Sequence, residues 1–473
     1  NMHPADPFDP ESFAGAIVNT EQLEKINKYV NIGKKEGAYL EVGGNITMKD
    51  TGGSYFEPTI FRNVSNDMKI AQEEIFGPVL STISFSSFKE AILIANDSQY
   101  GLAAGVWTKD INKAIHKGLK NGAMSTLNSP QEVELAKRLI KIHKWSEMVR
   151  FSKSGGEACM IAIRIARAYS KKEKIAFCGY HGWHDWYMAS NLSNKNNLNE
   201  QLLPGLGSKG ISKSFKNSIF SFNYNDINSL KKLFEKHKNK IGIVIMEPMR
   251  FNFPSKNFLN EVKKLAKKNG AILIFDEITS GFHENFGGLH LKFKVNPDMA
   301  IFGKALGNGH PISAVIGKKK IMNFAQKTFI SSTMWTESLG FIAGVTALDK
   351  MKRLKVQNRL VKFGRKIKQS WAKLAKKNGI KISINGLDSL PVFKFEYKNQ
   401  KEISTFFTQE MLKLGFLAKE AIAITYVYND KIINKYLKSV DLVFQKIKKI
   451  QKNNLKFPLK GPIKHSTLKN ISY

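Results

Sequence analysis

Cysteine is scarce in this chain of 473 residues, which contains only Cys159 and Cys178 and no Cys-x-x-Cys pair. This scarcity excludes a disulfide framework and suits a reducing compartment, so we expect a cytoplasmic protein. Long apolar runs are also missing: none approaches the roughly 18 residues that a membrane-spanning helix needs, so we expect no membrane partner. The first residues, Asn1 to Pro4, are neither basic nor apolar, and they predict no signal peptide.

Acidic residues are few, and charge is unevenly divided along the chain. The formal net charge is +35, from 74 Lys and Arg against 39 Asp and Glu. Residues 1–128 carry 12 basic and 15 acidic residues, net −3, which leaves 62 basic and 24 acidic residues, net +38, for residues 129–473. A basic surplus is typical of nucleic-acid binders, but no recognition motif or regular aromatic interleaving accompanies it. We therefore interpret it as solvated surface and expect no nucleic-acid partner.

A lysine and an aspartate form the most informative pair in the sequence. Asp276 ends an apolar run, residues 271–275, that predicts a buried strand, and Lys304 follows it by 28 residues between two stretches of small residues. Lysine is rarely buried without a task, and we expect Lys304 to be buried for one. The pair predicts a Schiff base between Lys304 and pyridoxal phosphate, with Asp276 keeping the cofactor's ring nitrogen protonated. Lys304, once released as an amine, would also move the substrate's Cα proton.

A glycine pair precedes a predicted helix at residues 158–169. Ser154, Gly155 and Gly156 stand at its start, where backbone N–H groups and the helix dipole favour a phosphate. An ordinary helix cap is the other interpretation of this segment. Further along, His181, His184 and Asp185 are residue types that bind metals, but no second ligand cluster accompanies them, so we expect no metal.

Residues 1–128 contain four segments that together are typical of one family. They are Asp6-Pro7-Phe8-Asp9-Pro10-Glu11, Phe56-Glu57-Pro58-Thr59-Ile60-Phe61, Glu73-Glu74-Ile75-Phe76-Gly77-Pro78-Val79 and Tyr100-Gly101-Leu102-Ala103-Ala104-Gly105-Val106-Trp107-Thr108. This stretch resembles the C-terminal part of the aldehyde dehydrogenase catalytic domain. The resemblance implies that Glu74 and Phe76 occupy positions that hold nicotinamide and its ribose. The family's catalytic cysteine and Rossmann portion have no counterpart here, so we interpret both residues as relic positions and expect no NAD to bind.

Residues 129–473 carry the Lys304 and Asp276 context, the Ser154-Gly155-Gly156-Glu157 loop and a Tyr180-His181-Gly182 run. They resemble the class III, glutamate-1-semialdehyde aminomutase-like aminotransferases. The resemblance implies that the loop binds the cofactor's phosphate, with Gly156 where relatives often have Thr or Ser, and that Tyr180 lies against the pyridine ring. It also implies that His181 completes the Tyr-His-Gly pattern, that Glu247 borders the cofactor and that Thr333 reaches the cofactor of a neighbouring subunit. A homodimer is therefore expected, acting on an amino acid or an amino-aldehyde or keto substrate.

The expected fold is α/β: a fold-type I pyridoxal-phosphate transferase with a mainly parallel sheet and a C-terminal small domain. We predict a dehydrogenase-like fragment at residues 1–128, with a strand at 79–85 and a helix at 88–96, and a junction between the two family segments within residues 111–130. A cofactor-binding large domain is predicted at 129–348, and the small domain at 349–473, with a strand at 390–395. The large domain is expected to lack the family's usual N-terminal segment. The leading function is a class III aminotransferase or aminomutase. Two alternatives stay open at this point, a non-catalytic chimera of two truncated enzymes and an NAD(P)-dependent aldehyde dehydrogenase.

Overall fold

A computed structural model describes residue 4, residues 15–87, positions 90, 91, 93, 94, 97 and 124, and residues 127–202, 204–249 and 252–464. The chain divides into two compact units, Asn1–Lys109 and Asp110–Tyr473. The boundaries predicted at 128/129 and 348/349 stay predictions, and the second falls inside the helix Ser338–Arg353. Residues 6–11, 100–108, most of the predicted junction at 111–130 and the end of the chain from 465 lie outside the described residues.

The first unit is a small α/β fragment. Its helix Thr20–Lys35 begins after Asn19, whose side chain accepts a hydrogen bond from the Gln22 N–H, and it buries Leu23, Ile26 and Val30. The strand predicted at 79–85 ends at Ser81, and of the helix predicted at 88–96 the four described positions are helical. The strands are β1 (Tyr39–Val42), β2 (Ile46–Thr47), β3 (Tyr55–Phe56), β4 (Thr59–Arg62) and β5 (Val79–Ser81), in sheets ordered β1-β4-β5 and β2-β3, with a short helix Lys69–Gln72.

The second unit is built on a sheet of seven strands: β6 (Met148–Ser152), β7 (Lys174–Cys178), β8 (Ile219–Ser221), β9 (Ile241–Met246), β10 (Ile272–Asp276), β11 (Met299–Phe302) and β12 (Ser313–Gly317). Their order in the sheet is β6-β12-β11-β10-β9-β7-β8. Strands β8, β7, β9, β10 and β11 run parallel, and β12 pairs antiparallel with β11 and β6. The mainly parallel sheet predicted from the sequence is therefore confirmed.

Apolar composition explains why these strands lie inside the molecule. All six residues of β9 and all five of β10 are buried, as continuous aliphatic runs in parallel sheets require when helices cover both faces. The helix Gly155–Ser170 packs its apolar side on the sheet, burying Ile161, Ile163 and Ile165. Other helices of this part are Pro130–Ile142, Asp185–Met188, Ser190–Ser193, Ile227–Lys236, Phe258–Lys268, Leu289–Phe293, Lys319–Met322 and Ser338–Arg353.

The C-terminal part of the second unit has a core of its own. The hairpin β13 (Ile382–Gly386) and β14 (Pro391–Phe395) packs with three long helices, Val356–Asn378, Gln400–Lys413 and Asp430–Lys452. Trp371, Phe393, Phe407 and Phe444 meet in this core, and the edge-on aromatic contacts add to the area that they bury. Among the described residues, no helix combines the length and the apolar character that crossing a membrane would need.

Candidate active site

The predicted site residues follow neighbouring parallel strands at one edge of the sheet. Because the carboxyl ends of parallel strands meet at the same edge, loops that follow them form a crevice there. The strand β7 ends at Cys178, β9 at Met246, β10 at Asp276 and β11 at Phe302. The residues placed at this edge are Tyr180, His181, Glu247, Asp276 and Lys304.

A cavity of about 740 Å³ opens at this edge. Five of the predicted residues line it: Gly155, Gly156, Tyr180, Asp276 and Lys304. The spacing of 28 residues between Asp276 and Lys304 is the length of one β10-helix-β11 crossover, which is why residues so far apart in sequence reach one cavity. Ser154, His181 and Glu247 are not part of the lining. Thr333 is exposed in the short 3₁₀ helix Thr333–Thr336, and it is not part of the lining either.

Lys304 is exposed, so the expectation of a buried lysine is wrong. The reason is that the cavity it lines is open to solvent. Lys304 Nζ donates a hydrogen bond to Thr279 Oγ1 over 2.9 Å. Its backbone has a φ of +43°, in the left-handed region that disfavours a side chain by roughly 1–2 kcal/mol. Strain of this kind is concentrated at functional sites.

Asp276 is buried with 4% of its surface exposed, and its carboxylate accepts three hydrogen bonds. His181 Nδ1 lies 2.7 Å from Oδ2, and the Cys159 thiol lies 3.4 Å from the same oxygen. The Ile278 backbone N–H donates to Oδ1 over 3.0 Å. A buried carboxylate with this many donors is held in one orientation, facing the cavity.

Two aromatic side chains at the end of β7 complete this side of the site. His181 is 1% exposed, and its Nε2 lies 3.2 Å from the Cys178 carbonyl oxygen. Tyr180 is 39% exposed, and its backbone N–H donates to Glu247 Oε2 over 3.0 Å. Partial burial, followed by the charges of neighbouring groups, raises the pKa of the Tyr180 phenol, so its ring faces the cavity as a neutral surface. Glu247 is half-buried, and its bond to the Tyr180 N–H holds the loop after β7.

The glycine segment starts the helix Gly155–Ser170. Ser154 and Glu157 form a capping box, in which the Ser154 Oγ accepts from the Glu157 N–H and the Glu157 carboxylate accepts from the Ser154 N–H. The sequence left a helix cap and a phosphate loop as alternatives, and the segment has the features of both. Within the described part of the chain, the N–H groups of Gly155 and Gly156 have no acceptor, and both glycines line the cavity.

Gly156 is packed against an imidazole ring. A Cβ at this position would lie 2.6 Å from His184 Cε1 and 2.7 Å from His184 Nδ1. The His184 Nδ1 atom is buried and has no partner among the described residues. His184 therefore fills the space in which a Thr or Ser side chain would lie, and any phosphate contact at residue 156 is made by the main chain.

Several lining residues were not predicted from the sequence. They are Lys153, Thr279, His283, His310 and Tyr426. Burial, followed by the positive charge of Lys304, lowers the pKa of His283, so this imidazole is neutral at pH 7. Thr279 and His283 closely follow Asp276 in the sequence, and this closeness could have predicted that they line the same cavity. Tyr426 lies 122 residues after Lys304, and only the fold of the C-terminal part brings it to the cavity.

The structure brings together a different set of metal-binding residue types from the set that is adjacent in the sequence. Cys159, His181 and Asp276 offer ligand atoms that lie within 4.8 Å of one another. Neither His184 nor Asp185 belongs to this group. Because burial and the charge of Asp276 raise the pKa of the Cys159 thiol well above its ordinary value, this sulfur is a protonated donor and a poor metal ligand.

In the first unit, Glu74 and Phe76 line a shallow cavity of about 340 Å³. Both side chains are exposed, Phe76 by 70% and with a φ of +54°. The Gln22 side-chain amide donates to the carbonyl oxygens of Ile75 and Phe76, at 2.9 Å each, and holds the loop in place. The interpretation of Glu74 and Phe76 as relic positions stays a prediction.

Comparison with known proteins decides the family. Residues 98–450, about three quarters of the chain, match the family model described as aminotransferase class-III. The chain belongs to the class III aminotransferase family. Residues 1–131 match the model of the aldehyde dehydrogenase family. The family predicted from the sequence is thus confirmed, and the two matches overlap between residues 98 and 131.

Curated class III relatives include two kinds of enzyme. The chain is 34% identical over 314 residues to a glutamate-1-semialdehyde 2,1-aminomutase of Sulfurihydrogenibium sp. (strain YO3AOP1), covering 64% of this chain and 71% of that protein. It is 32% identical over 306 residues to a 3-aminobutyryl-CoA aminotransferase of Cloacimonas acidaminovorans (strain Evry), covering 63% and 70%. It is 32% identical over 366 residues to an aminomutase of the same name from Wigglesworthia glossinidia brevipalpis, covering 72% and 82%.

Solved structures of similar proteins share the fold. The pyridoxal-phosphate internal aldimine form of the Sphingopyxis sp. MTA144 FumI protein superimposes with a TM-score of 0.66 at 20% identity, covering 75% of this chain and 84% of that one. An omega-transaminase from Sphaerobacter thermophilus gives a TM-score of 0.65 at 22% identity, covering 72% and 83%. The predicted fold-type I architecture is therefore confirmed for the transaminase part.

The residues of this class III site suit pyridoxal phosphate in kind and in place. The cavity offers a primary amine at Lys304, a buried carboxylate at Asp276 and a neutral aromatic face at Tyr180. The cavity also offers the N–H groups of Gly155 and Gly156, which lie at the start of a 16-residue helix, where a phosphate is favoured. Each part of pyridoxal phosphate therefore has a chemically matching group in the cavity: the amine for its aldehyde, the carboxylate for its ring nitrogen, the aromatic face for its ring and the N–H groups for its phosphate.

Proposed function

We propose that this chain is a pyridoxal-phosphate-dependent aminotransferase or aminomutase in which Lys304 bonds to the cofactor's aldehyde. The observation that carries the proposal is that Lys304 and Asp276, from the ends of β11 and β10, line one cavity with Tyr180. Family membership and the fold of its class III relatives support it. The proposed substrate is a small amino acid or an amino-aldehyde or keto compound.

The roles of the residues follow from their chemistry. Bound pyridoxal phosphate supplies an electron sink for the bond that breaks at the substrate's Cα. The Lys304 amine would move the proton at that carbon, since Lys304 lines the cavity in which the substrate would lie. Asp276 would keep the proton on the ring nitrogen, and His181 would orient Asp276 through the bond of 2.7 Å.

The phosphate and the ring are proposed to be held by separate groups. Gly155 and Gly156 would donate their N–H groups to the phosphate, with Ser154 and Glu157 stabilising the start of the helix. Tyr180 would lie against the ring, and Glu247 would position Tyr180 through the backbone. The exposed Thr333 supports a homodimer in which this residue reaches the partner's phosphate. A cytoplasmic location is proposed because the chain has only two cysteines, both of them buried and neither in a disulfide.

The proposal is tested by trapping the bond at Lys304. Purified protein is incubated with pyridoxal phosphate and reduced with borohydride, and peptide mass spectrometry locates the pyridoxyl group. We expect the group on Lys304 in the parent chain and its loss in Lys304→Ala. Lys263→Ala is the control, because Lys263 is an exposed lysine of the helix Phe258–Lys268. Absence of the group from Lys304 in the parent chain would refute the proposal.

A further inference from the structure

Cys159 contacts Asp276 and does not belong to the cavity lining. It is the fifth residue of the helix Gly155–Ser170 and is fully buried. Its Sγ atom is 3.4 Å from Asp276 Oδ2. The helix whose start faces the cavity thus also sends a side chain to the carboxylate at the end of β10.

The direction of this hydrogen bond is set by the charge state of the sulfur. Burial, followed by the negative charge of Asp276, raises the pKa of the Cys159 thiol well above its ordinary value. The thiol therefore stays protonated at neutral pH and donates to the carboxylate. A thiol is a weak donor, but a charged acceptor strengthens the bond, and burial removes water as a competitor.

The donors on Asp276 leave room for one more. Two of them, His181 Nδ1 and the Cys159 thiol, act on Oδ2, and the Ile278 N–H acts on Oδ1. A carboxylate offers about four lone-pair positions, so three internal donors leave about one for a ligand in the cavity. Asp276 lines that cavity, and the remaining position is the one that a ring N–H would use.

We propose that Cys159 is a positioning residue, which with His181 fixes the Asp276 carboxylate so that its remaining lone pair meets the cofactor's ring N–H. The positioning role rests on the proposed function. The hydrogen bond between Cys159 and Asp276 does not, because it is a contact within the protein itself. Without the thiol, Oδ2 keeps only the His181 bond, and the carboxylate gains freedom to rotate about its last bond. The cofactor would then bind more weakly, because part of its binding energy would be used to order Asp276.

The bond itself is tested in the protein without cofactor, by infrared measurement of the S–H stretching band. With two cysteines in the chain, Cys178→Ala leaves one band, that of Cys159. We expect this band at lower wavenumber than the band of the unfolded protein, and we expect it to move upward in Asp276→Asn, whose neutral oxygen is a weaker acceptor. A band at the position of the unfolded protein, or one that Asp276→Asn does not move, overturns the inference.

The consequence is tested through the dissociation constant of pyridoxal phosphate. Cys159→Val keeps the site apolar and removes the donor, and we expect its dissociation constant to rise about tenfold, the low end of the range for a hydrogen bond to a charged group. Cys159→Ala, which adds no atoms, should give the same rise, and Cys159→Ser, which retains a donor, should give less than half of it.

Ile165→Val is the matched control, because it trims a buried residue of the same helix and leaves all three donors to Asp276 in place. Its dissociation constant should equal that of the parent. Equal constants for the parent, Cys159→Val and Cys159→Ala would overturn the positioning role. If the parent chain binds no pyridoxal phosphate, the proposed function fails instead, while the infrared result still decides whether the thiol donates to Asp276.

Discussion

Lys304 and Thr279 join the loops that follow two neighbouring parallel strands, since the Lys304 amine donates to the Thr279 hydroxyl over 2.9 Å. Thr279 comes three residues after β10, and Lys304 comes two residues after β11. The hydroxyl therefore gives the amine a fixed position within the cavity before any cofactor arrives. The strained backbone at Lys304, with φ of +43°, holds the start of the same side chain.

Replacing Thr279 by Val should slow the attachment of pyridoxal phosphate to Lys304. The lysine would lose its anchor and explore more rotamers, at a cost of about 1 kcal/mol, which corresponds to a rate about fivefold lower. Stopped-flow absorbance measures the rate constant of attachment. Thr279→Ser, which keeps the hydroxyl, should stay within twofold of the parent. Identical rates for Thr279→Val and the parent would show that the hydroxyl does not prepare the amine.

Adding a methyl group at Gly156 should weaken cofactor binding. A Cβ there would lie 2.6 Å from His184 Cε1, so either the imidazole or the start of the helix must move. Overpacking of this kind costs about 1–3 kcal/mol, so we expect the dissociation constant of pyridoxal phosphate in Gly156→Ala to rise about fivefold or more. Equilibrium dialysis measures that constant.

The clash with His184 can be removed by a second change. Gly156→Ala combined with His184→Ala should recover most of the lost affinity, because the imidazole that obstructs the Cβ is gone. Gly207→Ala is the control, since a Cβ at that glycine would meet nothing within 4 Å. If the double variant binds as weakly as Gly156→Ala, steric contact with His184 is not the reason for glycine at this position.

The buried His143 should make the folded protein less stable in mild acid. Burial, followed by the positive charge of His290, lowers the pKa of His143 from 6.5 to about 4, although carbonyl oxygens of Leu139 and Gly287 at 2.8 Å favour the charged ring. Between those two pH values the unfolded chain binds a proton that the folded chain does not, so stability falls as the pH drops from 6.5 to 4. The loss attributable to His143 amounts to up to about 3 kcal/mol.

Urea unfolding at a series of pH values measures this loss. His143→Gln cannot take up the proton, so its unfolding free energy should fall less steeply between pH 6.5 and pH 4, even though its stability at pH 7 is lower than that of the parent. His310→Gln, at a partly exposed position, serves as the comparison and should keep the slope of the parent. A parallel pH dependence for His143→Gln and the parent would show that His143 is not the responsible group.

Local patterns predicted the elements that carry the chemistry. The aliphatic run before Asp276 became β10, the helix predicted at 158–169 became Gly155–Ser170, and the strand predicted at 390–395 became Pro391–Phe395. Such elements are predictable because apolar periodicity and capping residues act over a few neighbouring positions. The strand predicted at 79–85 was too long, since alternation of residue types does not specify where pairing ends.

The α/β class, the family and the residue types of the site follow from the amino-acid sequence, because motif spacing encodes them: Asp276 at a strand end, Lys304 one crossover later, glycines before a helix. Three-dimensional packing was needed to show how exposed Lys304 is, which groups donate to Asp276 and what fills the space beside Gly156. Cys159 lies 117 residues before Asp276, and Tyr426 lies 122 residues after Lys304. Contacts at such separations depend on how helices pack on the sheet, and no local pattern records them.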